Sequence, residues 1–341
     1  MTDNFYKAFE DKHRGGRELI KDRLEVYSPF IIAVNDVYPN ASAVDLGCGR
    51  GEWLELLGEQ SSFAAFGVDL DAGMLEICQQ NKLSYKQQDA LSALKGLEDE
   101  SQAIVTGFHI VEHITFEDLQ ELVQQAYRVL KPEGILILET PNPENITVGT
   151  SEFYLDPTHQ QPLPPKLLNF VVDYYGFYQT KVVRLQENKW LIDKQDTTLF
   201  EVLSGVSADY AVIAQKEKAR NEIDSFSQEF GLTLNTLSTQ FEQAQQRQFE
   251  QLEQNIRTVK SDLHAQALIQ AESHAYLQAQ IHLLDEHIQS LDGRIKSQEA
   301  QINAVDVHMQ AVTNSKSWRY TQPIRSGLSM LKNLVRKRKQ W

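Results

Sequence analysis

Short apolar runs alternate with amphipathic stretches over the first two thirds of the chain. ASAVDLG, FAAFGVDL, AIVTGFHIV and GILILET are apolar almost without interruption, the pattern of strands buried on both faces. TFEDLQELVQQAYRVLKPEG carries its apolar residues at helical spacing, with Thr115 placed to cap the helix and Pro132 and Gly134 to stop it. KVVRLQ and DYAVIAQK supply two further strands. Strands alternating with helices predict an α/β domain with a Rossmann-like, doubly wound parallel sheet over residues 40–215. Ahead of it, FYKAFEDKHRGGRELIKDRLEVY predicts a helical lid, residues 1–39, broken at Gly15-Gly16.

The pattern then changes. Nine of the ten prolines lie before residue 216, and from there to about Asn314 Gln, Glu and Ala dominate. Ile281, Leu284, Ile288, Leu291, Ile295, Ile302, Val305, Met309 and Val312 keep the 3–4 spacing of a coiled-coil seam, with Gln298 filling one slot. Phe249, Leu252, Ile256, Val259 and Leu263 follow the same rule in another register; the 25 residues from Ile256 to Ile281 are three heptads plus four, a stutter. Residues 216–314 are therefore expected to form a parallel coiled coil, in which Ile and Leu at the seam favour a dimer.

Charge sharpens the division. The chain is formally −14, yet residues 316–341 hold eight Lys and Arg and no acid, leaving 25 Lys and Arg against 47 Asp and Glu before them. An acidic body argues against a nucleic-acid partner. In residues 315–341, Pro323 is placed to start a helix with Ile324, Leu328, Leu331 and Val335 on one face and Arg325, Lys332, Arg336 and Lys339 beside them. That composition suits an interfacial helix drawn to anionic lipid by about 1 kcal/mol per basic residue, or a helix docking on a protein partner. Two cysteines, Cys48 and Cys78, lack metal-type spacing and point to a reducing compartment, and no metal site is expected. The charged opening residues carry no secretory pattern and no run is long enough to span a membrane, so a cytoplasmic protein is expected, at most peripheral on a membrane.

The chemistry is concentrated where strands end. VDLGCGRGEW joins the first strand to its helix; Gly47, Gly49 and Gly51 let the backbone approach a ligand, and Asp45 precedes them. Position 52 is Glu, so the loop reads G-x-G-x-G and not the dinucleotide G-x-G-x-x-G. Asp69, at the tip of the second strand, can accept the two hydroxyls of a ribose, and Asp89 can reach an adenine amino group. Candidate bases end later strands: His109, Glu112 and His113 in GFHIVEHI, and Asp156 and His159 in YLDPTHQQP. His113 and His159 suit the role best, being neutral near pH 7; the others also fit plain bracing of loops. Arg14 and Arg17 can clamp an acceptor or pair with Glu10 and Glu18.

Together these residues resemble the class I S-adenosylmethionine-dependent methyltransferases over roughly residues 40–215. The resemblance implies S-adenosyl-L-methionine as cofactor, held by Asp45, Gly47, Gly49, Gly51, Asp69 and Asp89. FYKAFEDKHRGGRELI, GFHIVEHI, ETPNPEN and FYLDPTHQQPLPP, with heptads behind, look like the methyltransferase part of the bacterial O-antigen chain-terminating enzymes. This closer resemblance implies capping of the non-reducing end of a lipid-linked polysaccharide at the inner face of the cytoplasmic membrane, beside a glycosyltransferase. It further implies a coiled coil that sets chain length, and a trimer where the seam residues favour a dimer. No kinase-like segment lies between the two parts, which favours a sugar hydroxyl over a phosphate as acceptor. A soluble methyltransferase for a small molecule or tRNA explains the first part and leaves the heptads and basic tail unused. An inactive scaffold leaves the complete set of cofactor residues unused.

Overall fold

The computed structural model describes residues 15–219 and 223–338, in two units divided between Glu250 and Gln251. Arg14, Glu10 and Lys339 lie outside the described residues. In the first unit, α1 (Arg17–Leu24) and α2 (Ser28–Val37) precede β1 (Ser42–Leu46), α3 (Glu52–Gln60), β2 (Ala64–Asp69), α4 (Ala72–Gln80), β3 (Tyr85–Gln87) and α5 (Ala90–Lys95). There follow β4 (Gln102–Phe108), α6 (Phe116–Val129), β5 (Leu130–Pro141), α7 (Ile146–Thr150), α8 (Pro165–Tyr174), β6 (Gln179–Leu185), α9 (Leu199–Ser204) and β7 (Asp209–Gln215).

The described residues form a seven-stranded sheet in the order β3-β2-β1-β4-β5-β7-β6. β1 to β5 pair in parallel, as the alternation predicts, but β7 runs antiparallel to both β5 and β6. The sequence is silent on that reversal because every residue of β7 is buried, giving it the same continuous apolar run as a parallel strand. Strand order turns back between β1 and β4, so a crevice opens at their carboxyl ends, where open α/β sheets take ligands.

Two helical layers cover the sheet. Leu94 of α5, Leu119 and Leu122 of α6 and Leu168 of α8 pack on one face. On the other, Tyr27, Phe30, Ile31 and Val34 pack with Trp53 and Leu57 of α3. Residues 25–37 are therefore a structural layer, because those side chains are fully buried, whereas in α1 only Leu24 is buried. Thr115 caps α6 as expected, accepting the Asp118 N–H at 3.1 Å. The helix ends at Val129 and β5 starts at once, so Pro132 and Gly134 fall within the strand and do not form the stop.

The helix that carries the heptads begins at Leu234, some way into the segment that opens at residue 216. α10 (Leu234–Asn314) is a single helix, whereas residues 216–219 and 223–233 are not α-helical. Ile223 joins the sheet core, and Leu232 packs with Leu191, Val202, Val206 and Leu237. An apolar residue that packs on the first unit is indistinguishable by composition from one awaiting a partner helix. In the second unit Ile281, Leu284, Ile288, Leu291, Ile295 and Ile302 are all exposed. Ser315 caps α11 (Lys316–Tyr320), and α12 (Gln322–Arg338) begins beside Pro323 as expected. The Arg325 guanidinium lies 3.4 Å from the centroid of the Trp318 ring. Among the described residues no helix is long and apolar enough to cross a membrane.

Candidate functional site

The glycine loop occupies the switch point between β1 and α3. Gly47 and Gly51 have φ of 69° and 81°, a region L side chains rarely adopt. A Cβ on Gly51 would stand 2.4 Å from Leu83 Cδ1, and one on Gly47 3.2 Å from Ile110 Cδ1. The loop is pinned to β2: Cys48 N–H donates to Val68 O at 2.9 Å and Gly49 N–H to Asp69 Oδ2 at 2.8 Å. Asp69 Oδ1 also accepts the Asp71 N–H at 2.8 Å. Below them Thr106 donates its hydroxyl to Asp45 Oδ1 at 2.7 Å. Asp89 caps α5, accepting the Ser92 N–H at 2.8 Å; that bond holds its carboxyl below the usual range. A tight loop, a carboxylate at each of two neighbouring strand tips and a buried acid beneath fit an adenosine-bearing sulfonium.

A cavity of about 310 Å³ adjoins this loop. Asp45 and Gly47 line it; Gly49, Gly51, Asp69 and Asp89 do not. Across it stand His109, His113, Asp156 and His159. Six carboxylates border it (Asp45, Glu52, Glu139, Glu152, Asp156, Asp209) against a single arginine, Arg23. Such walls favour a cationic guest and repel an anionic one.

Of the five candidate bases, the structure sets two apart. His109 has a left-handed backbone, φ 53°, which swings its ring between two acids: Nδ1 is 3.2 Å from Glu112 Oε1 and Nε2 3.4 Å from Glu139 Oε1. Burial opposes its charge, but the Asp209 charge and the bonds to Glu112 and Glu139 outweigh that and raise its pKa well above the ordinary value. His109 is thus already protonated and is no base. Glu112 is fully buried behind the cavity, its other oxygen accepting the Thr140 hydroxyl at 2.9 Å. Burial pushes its pKa up, but the bond and charge of His109 prevail and hold it low, so it stays an anion and braces. Asp156 Oδ1 accepts from both the N–H and the hydroxyl of Thr158, also a bracing role.

His113 and His159 differ. Their rings stand edge to face with centroids 4.6 Å apart. His159 Nδ1 lies 2.6 Å from the Phe153 carbonyl, which can only accept, so Nδ1 carries the proton. Thr158 spends its hydroxyl hydrogen on Asp156 and therefore accepts from His113 Nδ1 at 2.9 Å. His113 is left with its Nε2 lone pair bare, and His159 Nε2 stands 4.0 Å from Asp156 Oδ2. Burial, first among the causes, lowers the His113 pKa, so it is neutral at pH 7.

Arg17 is not available to an acceptor: it reaches Glu55 at 2.8 Å and Glu52 at 3.5 Å and donates to the Arg50 carbonyl. Its acidic partners, Glu52 and Glu55, lie on α3, and not at Glu18. Sequence reasoning also missed Tyr27, Glu139 and Asp209. Tyr27 donates its hydroxyl to Glu139, and Asp209 is pushed up to about 7, chiefly by burial. The available signal was an acid closing each apolar run, in GILILET and at the head of DYAVIAQ.

Asp209 makes stability depend on pH. Between its unfolded value of about 4 and its folded value of about 7 the folded chain holds a proton that the unfolded chain has lost. Stability therefore falls as pH rises through that window, by up to about 4 kcal/mol. Asp209→Asn is expected to shrink the drop in melting temperature between pH 5 and pH 8; an undiminished drop would refute the assignment.

Residues 44–138 match a family model described as a methyltransferase domain. The crystal structure of a SAM-dependent methyltransferase from Archaeoglobus fulgidus is similar at 33% identity and TM-score 0.54, covering 62% of this chain and 99% of that one. YqeM of Bacillus subtilis, whose name marks it as a methyltransferase, is 34% identical over 102 residues, 28% of this chain and 40% of YqeM. A demethylmenaquinone methyltransferase of Lactobacillus johnsonii is 34% identical over 150 residues, 40% of this chain and 57% of that one. The chain spans about half the length of the curated relatives it matches.

Proposed function

This chain belongs to the S-adenosylmethionine-dependent methyltransferases, and from that premise we propose that it methylates a sugar hydroxyl at the non-reducing end of a lipid-linked O-antigen polysaccharide. The bound cofactor supplies an electrophilic methyl group on a sulfonium. Asp45, Asp69, Asp89 and the three loop glycines hold it, and the carboxylate-rich cavity favours its positive charge. The same walls disfavour a phosphate acceptor and suit a neutral, hydroxyl-rich one. The observation that carries the reading is the His113–His159 pair lining that cavity: burial keeps His113 neutral with an open Nε2 lone pair, and the His159 ring stands edge to face beside it, the equipment a hydroxyl acceptor needs and a phosphate does not.

The remaining parts have roles in this reading. The exposed seam of α10 pairs with copies of itself in a parallel oligomer, dimer or trimer, that sets glycan length. The cationic α12, with Ile324, Leu328 and Leu331 exposed, adheres to anionic lipid at the inner face of the cytoplasmic membrane or docks on a glycosyltransferase. Oligomerisation multiplies such weak anchors. The test is methyl transfer from labelled S-adenosylmethionine to defined oligosaccharide acceptors. Label in the terminal sugar is expected; label confined to a small metabolite or RNA would sink the proposal. Deleting two heptads between Ile281 and Ile302 is expected to shorten the glycan made in cells, and an unchanged length distribution would remove the ruler.

A further inference from the structure

Three side chains at the floor of the cavity converge in a way that proton transfer alone does not require. A ring nitrogen of His113, a ring nitrogen of His159 and a carboxylate oxygen of Glu112 all lie within 4.8 Å of one another. We propose that these residues bind one divalent transition-metal ion, with its open coordination positions facing the cavity. Two histidines and one carboxylate are a donor set for Zn²⁺, Fe²⁺, Mn²⁺ or Co²⁺ and leave room for further ligands.

The argument rests on how the donors are held. A ligating histidine commonly donates its second ring N–H to a carbonyl or carboxylate, which fixes the ring and the lone pair. His159 does so to the Phe153 carbonyl, and His113 through the Thr158 hydroxyl to Asp156. Glu112 is fully buried and uses one bond on each oxygen, from His109 and from Thr140, so lone pairs remain. The loop bearing His159 is tied to the turn bearing the other two: Gln160 N–H donates to Glu112 O at 2.8 Å and its side-chain amide to His113 O at 2.9 Å. The neighbouring cluster of His109, Glu139 and Asp209 is the instructive contrast. There both ring nitrogens face carboxylates as donors, so no histidine lone pair is free to bind a metal.

The site departs from the sequence expectation of no metal, which followed from cysteine spacing alone. Its role rests on the transfer reading above: once His113 and His159 ligate the ion they are no longer bases, and the ion instead polarises the acceptor hydroxyl so that its proton is lost more readily. Binding itself does not. Full-length protein, untagged and stripped with chelator, is titrated with Co²⁺ and followed by visible absorption and calorimetry. One equivalent with d–d bands is expected, displaced by Zn²⁺. His159→Gln is expected to weaken binding at least about 30-fold, and Thr158→Val, which removes the hydroxyl that links His113 to Asp156, about 10-fold. Absence of bands, or an affinity unchanged in His159→Gln, overturns the proposal; the latter result would place the ion on histidines of α10. Cofactor titration of the same stripped sample separates the two ideas. Uptake of S-adenosylmethionine without Co²⁺ binding refutes the metal site alone, and failure of cofactor uptake refutes the transfer reading.

Discussion

Asp69→Ala is expected to weaken S-adenosylmethionine binding by at least about 100-fold while leaving the chain folded. A carboxylate offers about four lone-pair sites. Two are used, on Gly49 N–H and Asp71 N–H, leaving two for the pair of ribose hydroxyls. Hydrogen bonds to a charged group contribute about 1.5–3 kcal/mol each, so losing two exceeds the roughly 2.7 kcal/mol of a 100-fold change. Loop order is lost as well, since Gly49 N–H loses its partner. Asp69→Asn retains an acceptor oxygen and should fall between, near 10-fold. Calorimetry decides the matter: an Asp69→Ala protein that binds the cofactor within a few-fold of the parent removes Asp69 from the site.

The second large effect is on folding and comes from a glycine outside the loop. Gly67 sits in β2 opposite Asp45, and a Cβ there would stand 2.4 Å from Cys48 Cβ, 2.5 Å from Cys48 Sγ and 2.9 Å from Leu54 Cδ1. Cys48 Cβ cannot rotate away, because it is fixed to the backbone that begins the cofactor loop. Overpacking costs about 1–3 kcal/mol where side chains can adjust, so Gly67→Ala should exceed about 3 kcal/mol. For a unit of this size that lowers the melting temperature by about 6–12 °C. Adding Cys48→Gly removes both sulfur and Cβ and should recover at least half the loss, a coupling that generic strand damage would not show. A single Gly67→Ala variant melting within 1 °C of the parent would contradict the packing described.

Both variants act where the sequence was most readable. The apolar runs, the G-x-G-x-G loop and the acids at positions 45, 69 and 89 are local patterns, and each falls at the carboxyl end of a strand or on the strand-to-helix turn. The heptads from Ile281 onward likewise fall in continuous helix, with the seam exposed. In the five candidate bases the reading was partial. His113 keeps an open lone pair with His159 beside it, but His109 and Glu112 neutralise each other and Asp156 braces a loop. Nothing in GFHIVEHI distinguishes His109 from His113, because the difference is made by Glu139 and Asp209, 30 and 100 residues downstream.

The sequence by itself determined the periodic features: which segments are strands, which are helices, where the chain turns sharply on glycine, and where an apolar seam waits for a partner. Periodicity reports local geometry because side-chain direction repeats with the backbone. Only the tertiary structure decided the antiparallel sense of β7, the burial of Leu24, Tyr27, Phe30, Ile31 and Val34 in a second helical layer, and the docking of residues 223–232 before α10 begins. It also decided the protonation of His109 and His113. Those outcomes depend on which distant groups meet, and a buried proton is assigned by its neighbours in space, not by its neighbours in the chain.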